Sequence, residues 1–243
     1  MTVQWVTDDK VSITNGTTSG TYSVTVSGEQ AYITNAITGD IRGYYPSDIL
    51  VTDNASTPTV RVQGEDYGMG CYYNSYFLGD GRQYIPLPMV AIADSGATEI
   101  QFKNITAAVR VLIRNEKDYD IELEQVIVKS NGSKLYGDVN LNLNSSDLGI
   151  TAQASNPETN DSTVTIQFPN GNYPVIPVWS NNDDNICEVQ VPILPVNKDH
   201  TITIQIKGHK VGDQYTRHTF NHTDTIPSNL GRNKMLTARC RFY

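Results

Sequence analysis

All four histidines fall in the C-terminal quarter of the chain, at His200, His209, His218 and His222, and metal chemistry is the first function they suggest. Within "HTFNH" His218 and His222 stand four apart, a spacing at which two imidazoles on one helix face can share an ion. A β-rich region loses that geometry, no HExxH is present, and no motif fixes an acid nearby. The segment is therefore expected to be a polar loop at an open end of a sheet. Neither a metal nor any other cofactor is expected.

Paired carboxylates at Asp8-Asp9 and Asp183-Asp184 could serve as calcium ligands or as a glycosidase pair. Both pairs lie in turn-like polar sequence without a DxDxDG loop, so solvated turns are the expectation. No GxSxG elbow presents a nucleophile, and the chain is expected not to be an enzyme. The glycine-rich "GEDYGMGCYY" lacks the Lys-Ser/Thr and the following helix of a phosphate loop. It reads instead as a loop presenting Tyr67, Tyr72, Tyr73 and Tyr76. Each of these rings offers a flat apolar face and a hydroxyl to a sugar or a protein surface, and the four are the candidate ligand-binding residues.

The elements that must carry these residues are strands. "YSVTVSG", "QAYITNA", "TVRVQG", "STVTIQF", "CEVQVPIL" and "HTITIQIKG" alternate apolar and polar side chains and are rich in Val, Ile, Thr and Tyr. Asn15-Gly16, Asn131-Gly132 and Asn170-Gly171 read as type I′ turns. Capped helices with 3.6-residue periodicity are missing, which favours an all-β sandwich over a parallel α/β sheet. "IQFKNITAAVRVLI" contains good helix formers, yet period two puts Ile105, Ala107, Val109, Val111 and Ile113 on one face, predicting a long strand with that face in a core. A glycan at its Asn104 sequon would be incompatible with that burial. A break is expected near Ser95, within the Pro/Gly-rich "YIPLPMVAIADSGATEI", giving domains 1–95 and 96–243. Downstream, a charged turn at 115–120, a strand ending near Ser130, the Asn131-Gly132 turn and a third strand through Leu143 read as a hairpin, followed by a long polar loop over 144–161.

A chain of 243 residues has room for a sizeable core. Its formal net charge is -8, with acids and bases interleaved. No basic stripe is expected to neutralise phosphates or anionic lipid, and nucleic acid is excluded as a partner. Three widely spaced cysteines, Cys71, Cys187 and Cys240, form neither a disulfide framework nor a zinc knuckle, although one bridge remains open to them in an exported protein. "MTVQWVTDDKV" has neither the basic n-region nor the apolar h-region of a signal peptide, as in a cytoplasmic protein or in a mature exported chain.

Four segments, taken in order, resemble the fimbrillin, or Mfa-like, proteins of Bacteroidales: "IRGYYPSD", "IPLPMVAIADS", "FKNITAAVRVLIRN" running on through "IELEQVIVKSNGSKLYGDVNL", and "VPILPVNKDHTITIQIKG" followed by "NLGRNKMLTARCRF". The resemblance spans the chain from about Trp5. It implies two β-sandwich domains, the second transthyretin-like, in a fimbrial (pilus) subunit or accessory tip or anchor protein. Its place would be the cell surface, in a fimbrium or at the outer membrane, after export as a lipoprotein. Its partners would be other fimbrial subunits, joined by donor-strand exchange, and a host glycan or protein. In that family, cleavage after an Arg removes an N-terminal strand and opens a groove for the next subunit's strand, and such addition satisfies an unpaired sheet edge. This chain departs from the pattern in showing no lipobox cysteine, no leader, and no Arg before Arg42, which is expected to lie in a strand. A surface carbohydrate-binding or adhesive module that does not polymerise is the alternative.

Overall fold

A computed structural model describes residues 5, 7–28, 30–34, 37–62, 73–74, 87–150, 154, 158, 161–168, 171, 173–179, 186–226 and 228–243. The described residues are all-β, with no helix, and they fall into two compact units. One unit contains the described residues of Met1–Val62, Pro86–Thr106 and Gly137–Thr151, and the other those of Gln63–Ile85, Ala107–Tyr136 and Ala152–Tyr243.

In the first unit, β1 (Lys10–Thr14), β2 (Ser19–Ser23), β5 (Ile41–Tyr45), β9 (Met89–Ala93) and β10 (Lys103–Asn104) form an antiparallel sheet in the order β10-β9-β5-β1-β2. A hairpin of β3 (Thr25–Ser27) and β4 (Gln30–Tyr32) and a sheet of β6 (Leu50–Thr52), β7 (Thr59–Val62) and β13 (Gly137–Asn140) complete it. Alternate residues of these strands, including Val11, Ile13, Ile41 and Met89, build the core. The turn at Asn15-Gly16 is not of type I′: Gly16 alone takes a positive φ, and the Asn15 side chain accepts hydrogen bonds from the Thr17 and Thr18 amides. Gly132 likewise carries the positive φ at its turn, and Asn170 lies outside the described residues.

The second unit packs two sheets as a sandwich. One runs β19 (Met235–Phe242), β11 (Ala107–Asn115), β16 (Ile186–Ile193), β8 (Tyr73–Asn74). The other runs β14 (Thr163–Gln167), β12 (Ile121–Ser130), β17 (Thr201–Lys210), β18 (Asp213–Thr225), with β15 (Val175–Ile176) added to β12. Ile105, Ala107, Val109, Val111 and Ile113 are all fully buried, as the period-two reading requires. The stretch nevertheless breaks at Ile105–Thr106, where Asn104 Oδ1 accepts hydrogen bonds from both the amide and the hydroxyl of Thr106.

The expected hairpin between β11 and β12 does not form. β11 pairs with β16 and β19, and β12 with β14, β15 and β17, so the 115–120 turn carries the chain from one sheet to the other. Both strands present an apolar face, and burying both faces against each other favours stacking over edge pairing. The expected third strand is β13, which pairs with β7.

Cys187 and Cys240 are buried and free. Both register with Ile113 from opposite sides of β11, which separates their Cα atoms by two strand spacings, about 9.5 Å and too far for a bridge. Burial pushes each thiol up to about 12. Cys71 lies outside the described residues.

The two strands of the β12–β17 pair approach closely at a bulge between Leu123 and Gln125, and the position opposite needs a residue without Cβ. A Cβ on Gly208 would come within 2.6 Å of the Glu122 carbonyl oxygen and 2.7 Å of Ile121 Cγ2. Gly208→Ala is therefore expected to destabilise the protein by about 2 kcal/mol through overpacking, read as a lowered urea midpoint in circular dichroism; an unchanged midpoint would show that β17 can draw away from β12.

Candidate functional site

Among the described residues, those first suspected of chemistry are scattered. "HTFNH" is part of β18, a 13-residue strand rather than a loop. Its Thr, Asn and His side chains are polar on both faces, which hides a half-buried strand at a sheet edge. His222 reaches Asp224 Oδ2 at 2.8 Å, while His218 Nε2 bonds the Tyr119 hydroxyl at 2.6 Å. Burial, then the charge of Lys117, lowers the pKa of His218. His209 lies between two carboxylates, with Nε2 2.7 Å from Glu122 and Nδ1 3.1 Å from Glu124. No group of three or more His, Cys, Asp or Glu residues is arranged to hold a metal ion among the described residues.

Among the described residues, the arrangement nearest to nucleophilic chemistry joins Ser133 Oγ to His200 Nδ1 at 2.6 Å. Ser133 is fully buried, so this hydrogen bond anchors a turn and offers nothing to a substrate. Asp8 occupies a positive-φ turn, and Asp9 accepts a hydrogen bond from the Tyr45 hydroxyl at 2.9 Å. Asp183, Asp184, Tyr67, Tyr72 and Tyr76 lie outside the described residues, as does the side chain of Tyr73. The backbone of Tyr73 pairs with Val189 in β8–β16.

What the first unit does present is a groove of about 910 Å³. Its floor is apolar, built from Val24, Ile33, Ile41, Ile100 and Phe102, with Trp5 standing among them. The Trp5 ring meets Tyr45 and Phe102 edge-on, at centroid distances of 4.9 and 5.2 Å. Phe102 can lie flat on β5 because position 43 is glycine: a Cβ there would come within 2.8 Å of Phe102 Cζ. One wall is the end of the β3–β4 hairpin, and the other is the 94–100 segment. Gly39 and Gly96 supply the positive φ angles of the turns at its mouth. Asp94 and Glu99 line the rim, and Asp40 accepts a hydrogen bond from the Ser95 amide, while no Lys or Arg stands among the described lining residues. The groove therefore offers apolar surface within an acidic rim, which favours a guest that carries positive charge. Sequence reading missed it because residues 5, 24, 33, 41 and 102 converge only through the sheet order. A spaced aromatic set and an isolated Gly43 within "IRGYYP" were the available signals.

Behind the floor, a charged clamp holds β5 in place. The Arg42 guanidinium donates through Nε and Nη2 to the Asp53 carboxylate at 2.9 and 2.8 Å, and Thr14 Oγ1 donates to Asp53 Oδ2 at 3.0 Å. These bonds tie β1, β5 and the chain after β6 together. The hydrogen bonds from Arg42, and then that from Thr14, hold the Asp53 carboxyl below its usual range despite partial burial. Burial, reinforced by Asp53, pushes the neighbouring Tyr44 hydroxyl up to about 12.

No protein-family model and no curated protein matches the sequence. Among solved structures, the chain is similar to a candidate cell adhesion protein from Bacteroides ovatus, at 12% identity and a TM-score of 0.52, over 98% of this chain and 83% of that one. A candidate cell adhesion protein from Bacteroides fragilis aligns at 12% identity over 98% of this chain and 82% of that one, with a TM-score of 0.43. The first likeness places the chain in the same β-sandwich architecture.

Because the depressed Asp53 carboxyl stabilises the fold only while ionised, its contribution is present above the unfolded value of about 3.8 and fades as the pH falls through the lower folded value. Asp53→Asn is expected to cost about 2 kcal/mol at pH 7. The gap from the parent protein should narrow below about pH 4. Urea unfolding followed by Trp5 fluorescence in a Trp179→Phe background reads the first unit alone; a gap that did not change with pH would show that the clamp is not ionic.

Proposed function

We propose that the protein is a non-enzymatic component of the bacterial cell surface, a fimbrial subunit or accessory adhesin that assembles by β-strand addition. The observation that carries this reading is the groove of the first unit, with its apolar floor and acidic rim. An apolar groove beside a sheet edge is stabilised by accepting a strand, which covers apolar surface and supplies backbone partners to that edge. Support comes also from the four ordered segments that resemble fimbrillins and from the architecture shared with the Bacteroides ovatus protein.

The proposed guest is an extended segment of a neighbouring subunit. Every second side chain would be apolar and turned to the floor, and the outward ones would be basic, facing Asp40, Asp94 and Glu99. Trp5 lines the groove against Tyr45 and Phe102, and the proposed exchange would displace it. Surface location follows from the same reading, as does attachment at the outer membrane through a lipid anchor.

A photo-crosslinking residue placed at Ile33 in the full-length protein on its own cells tests the proposal. Expected are covalent adducts between subunits, resolved as a ladder on denaturing gels, with the linked peptide drawn from an extended segment of another chain. Adducts confined to the same chain would contradict it.

A further inference from the structure

We infer that the outer face of the β11–β19 pair is a docking surface for a linear polyanionic polysaccharide. The inference does not depend on strand addition, since it concerns the second unit alone.

β11 and β19 run parallel, with Ala108 opposite Met235 and Arg114 opposite Arg241. Period two then sorts their side chains. Val109, Val111, Ile113, Ala238, Cys240 and Phe242 enter the core, and Arg110, Arg114, Arg239 and Arg241 stand together on the other face. Sequence reading expects no basic stripe, because acids and bases interleave along the chain. Sheet pairing overturns that expectation by bringing two distant arginine-bearing strands side by side. No acidic side chain follows Asp224, whereas Arg232, Lys234, Arg239 and Arg241 all do, and this is the one signal in the sequence.

Among the described residues, two glutamates meet this face. Arg110 Nη2 lies 2.6 Å from Glu188 Oε2, and Arg114 and Arg241 share Glu116 Oε1 at 3.3 and 3.5 Å. Burial alone would raise the Glu188 carboxyl, but hydrogen bonds from Arg110 and Gln190 hold it below the usual range. Arg239 and Lys234 have no carboxylate within ion-pair distance among the described residues. Among the described residues, positive charge is thus in excess on one face of a chain whose net charge is -8.

The form of this patch points to the class of partner. The cations follow the strands in rows, with Arg239 and Arg241 about 7 Å apart and Arg110 and Arg114 about 13 Å apart, so a ligand that repeats its charges along a line can meet several together. The fixed fork of a guanidinium pairs bidentately with carboxylate or sulfate. Arg114 lies over the Trp179 ring, 3.1 Å from its centroid, which orients its donors sideways. The indole beside it is a surface on which a sugar ring can pack. Of the apolar side chains on this face of the pair, Ala108 is buried, Leu112 half-buried and Met235 alone exposed, too few to insert into a lipid surface.

The test uses the purified full chain with heparin, polygalacturonate, neutral dextran and phosphatidylglycerol vesicles as probes. Heparin and polygalacturonate are expected to bind, and salt should weaken both. The Arg239→Ala/Arg241→Ala double variant should lose about tenfold in affinity. Continued protection of Cys240 from alkylation would establish that the double variant is folded. Lys129→Ala/Lys207→Ala removes the same formal charge from the other sheet and should stay within about twofold of the parent protein. Equal losses in the two double variants would reduce the effect to net charge and overturn the proposal. Wild-type affinity after loss of both arginines would also overturn it, as would binding to vesicles but to neither polysaccharide.

Discussion

Most of the second unit depends on the burial of β11 between an antiparallel neighbour and a parallel one. Its inward side chains Val109, Val111 and Ile113 are fully excluded from solvent, and each contributes roughly 1.5–3 kcal/mol by that exclusion. β16 supplies one edge and β19, close to the C-terminal end, supplies the other. Because β11 opens the unit's main stretch and β19 closes it, their parallel pairing requires the chain between them to be folded first or at the same time. The same pairing determines what the outer face carries: a strand that alternates Val and Arg, set beside one that alternates small apolar residues and Arg, has a dry side and a cationic side.

Much of this was legible in residue patterns. Alternation located β7, β14, β16 and β17 and the long β11 and β12, because burial on one side of a sheet leaves a period-two signature that survives any choice of pairing partner, but it passed over β1, whose Val11 and Ile13 are buried. The partners themselves were not legible. β11 and β12 look like a hairpin, since a short charged turn joins two strands, yet each has an apolar face that is better buried by stacking than by pairing edge to edge. β18 was hidden for a different reason: at a sheet edge, Thr, Asn and His serve the half-buried face and leave no apolar rhythm to detect. The arginine face and the groove were hidden by distance, because each is assembled from residues that only the sheet order brings together.

Among the described residues, the groups first suspected of chemistry serve local structure. The histidines are divided among Asp224, Tyr119, Glu122 and Ser133, each used in a local hydrogen bond or ion pair. The free thiols that the structure describes are sealed beside β11. What remains prominent are surfaces: an apolar groove with an acidic rim in one unit, and a flat cationic face in the other. Both suit non-covalent docking, and the opposite signs of their charge would keep their partners distinct.

The central claim is that the first unit's groove receives an extended segment when the protein assembles. Hydrogen–deuterium exchange resolved along the chain, comparing the isolated protein with the assembled form extracted from cells, addresses it most directly. Amides over 31–33 and 97–100, on the two walls of the groove, are expected to exchange markedly more slowly in the assembled form, while those of β11 are slow in both. Unchanged exchange along both walls in a demonstrably assembled sample would contradict it.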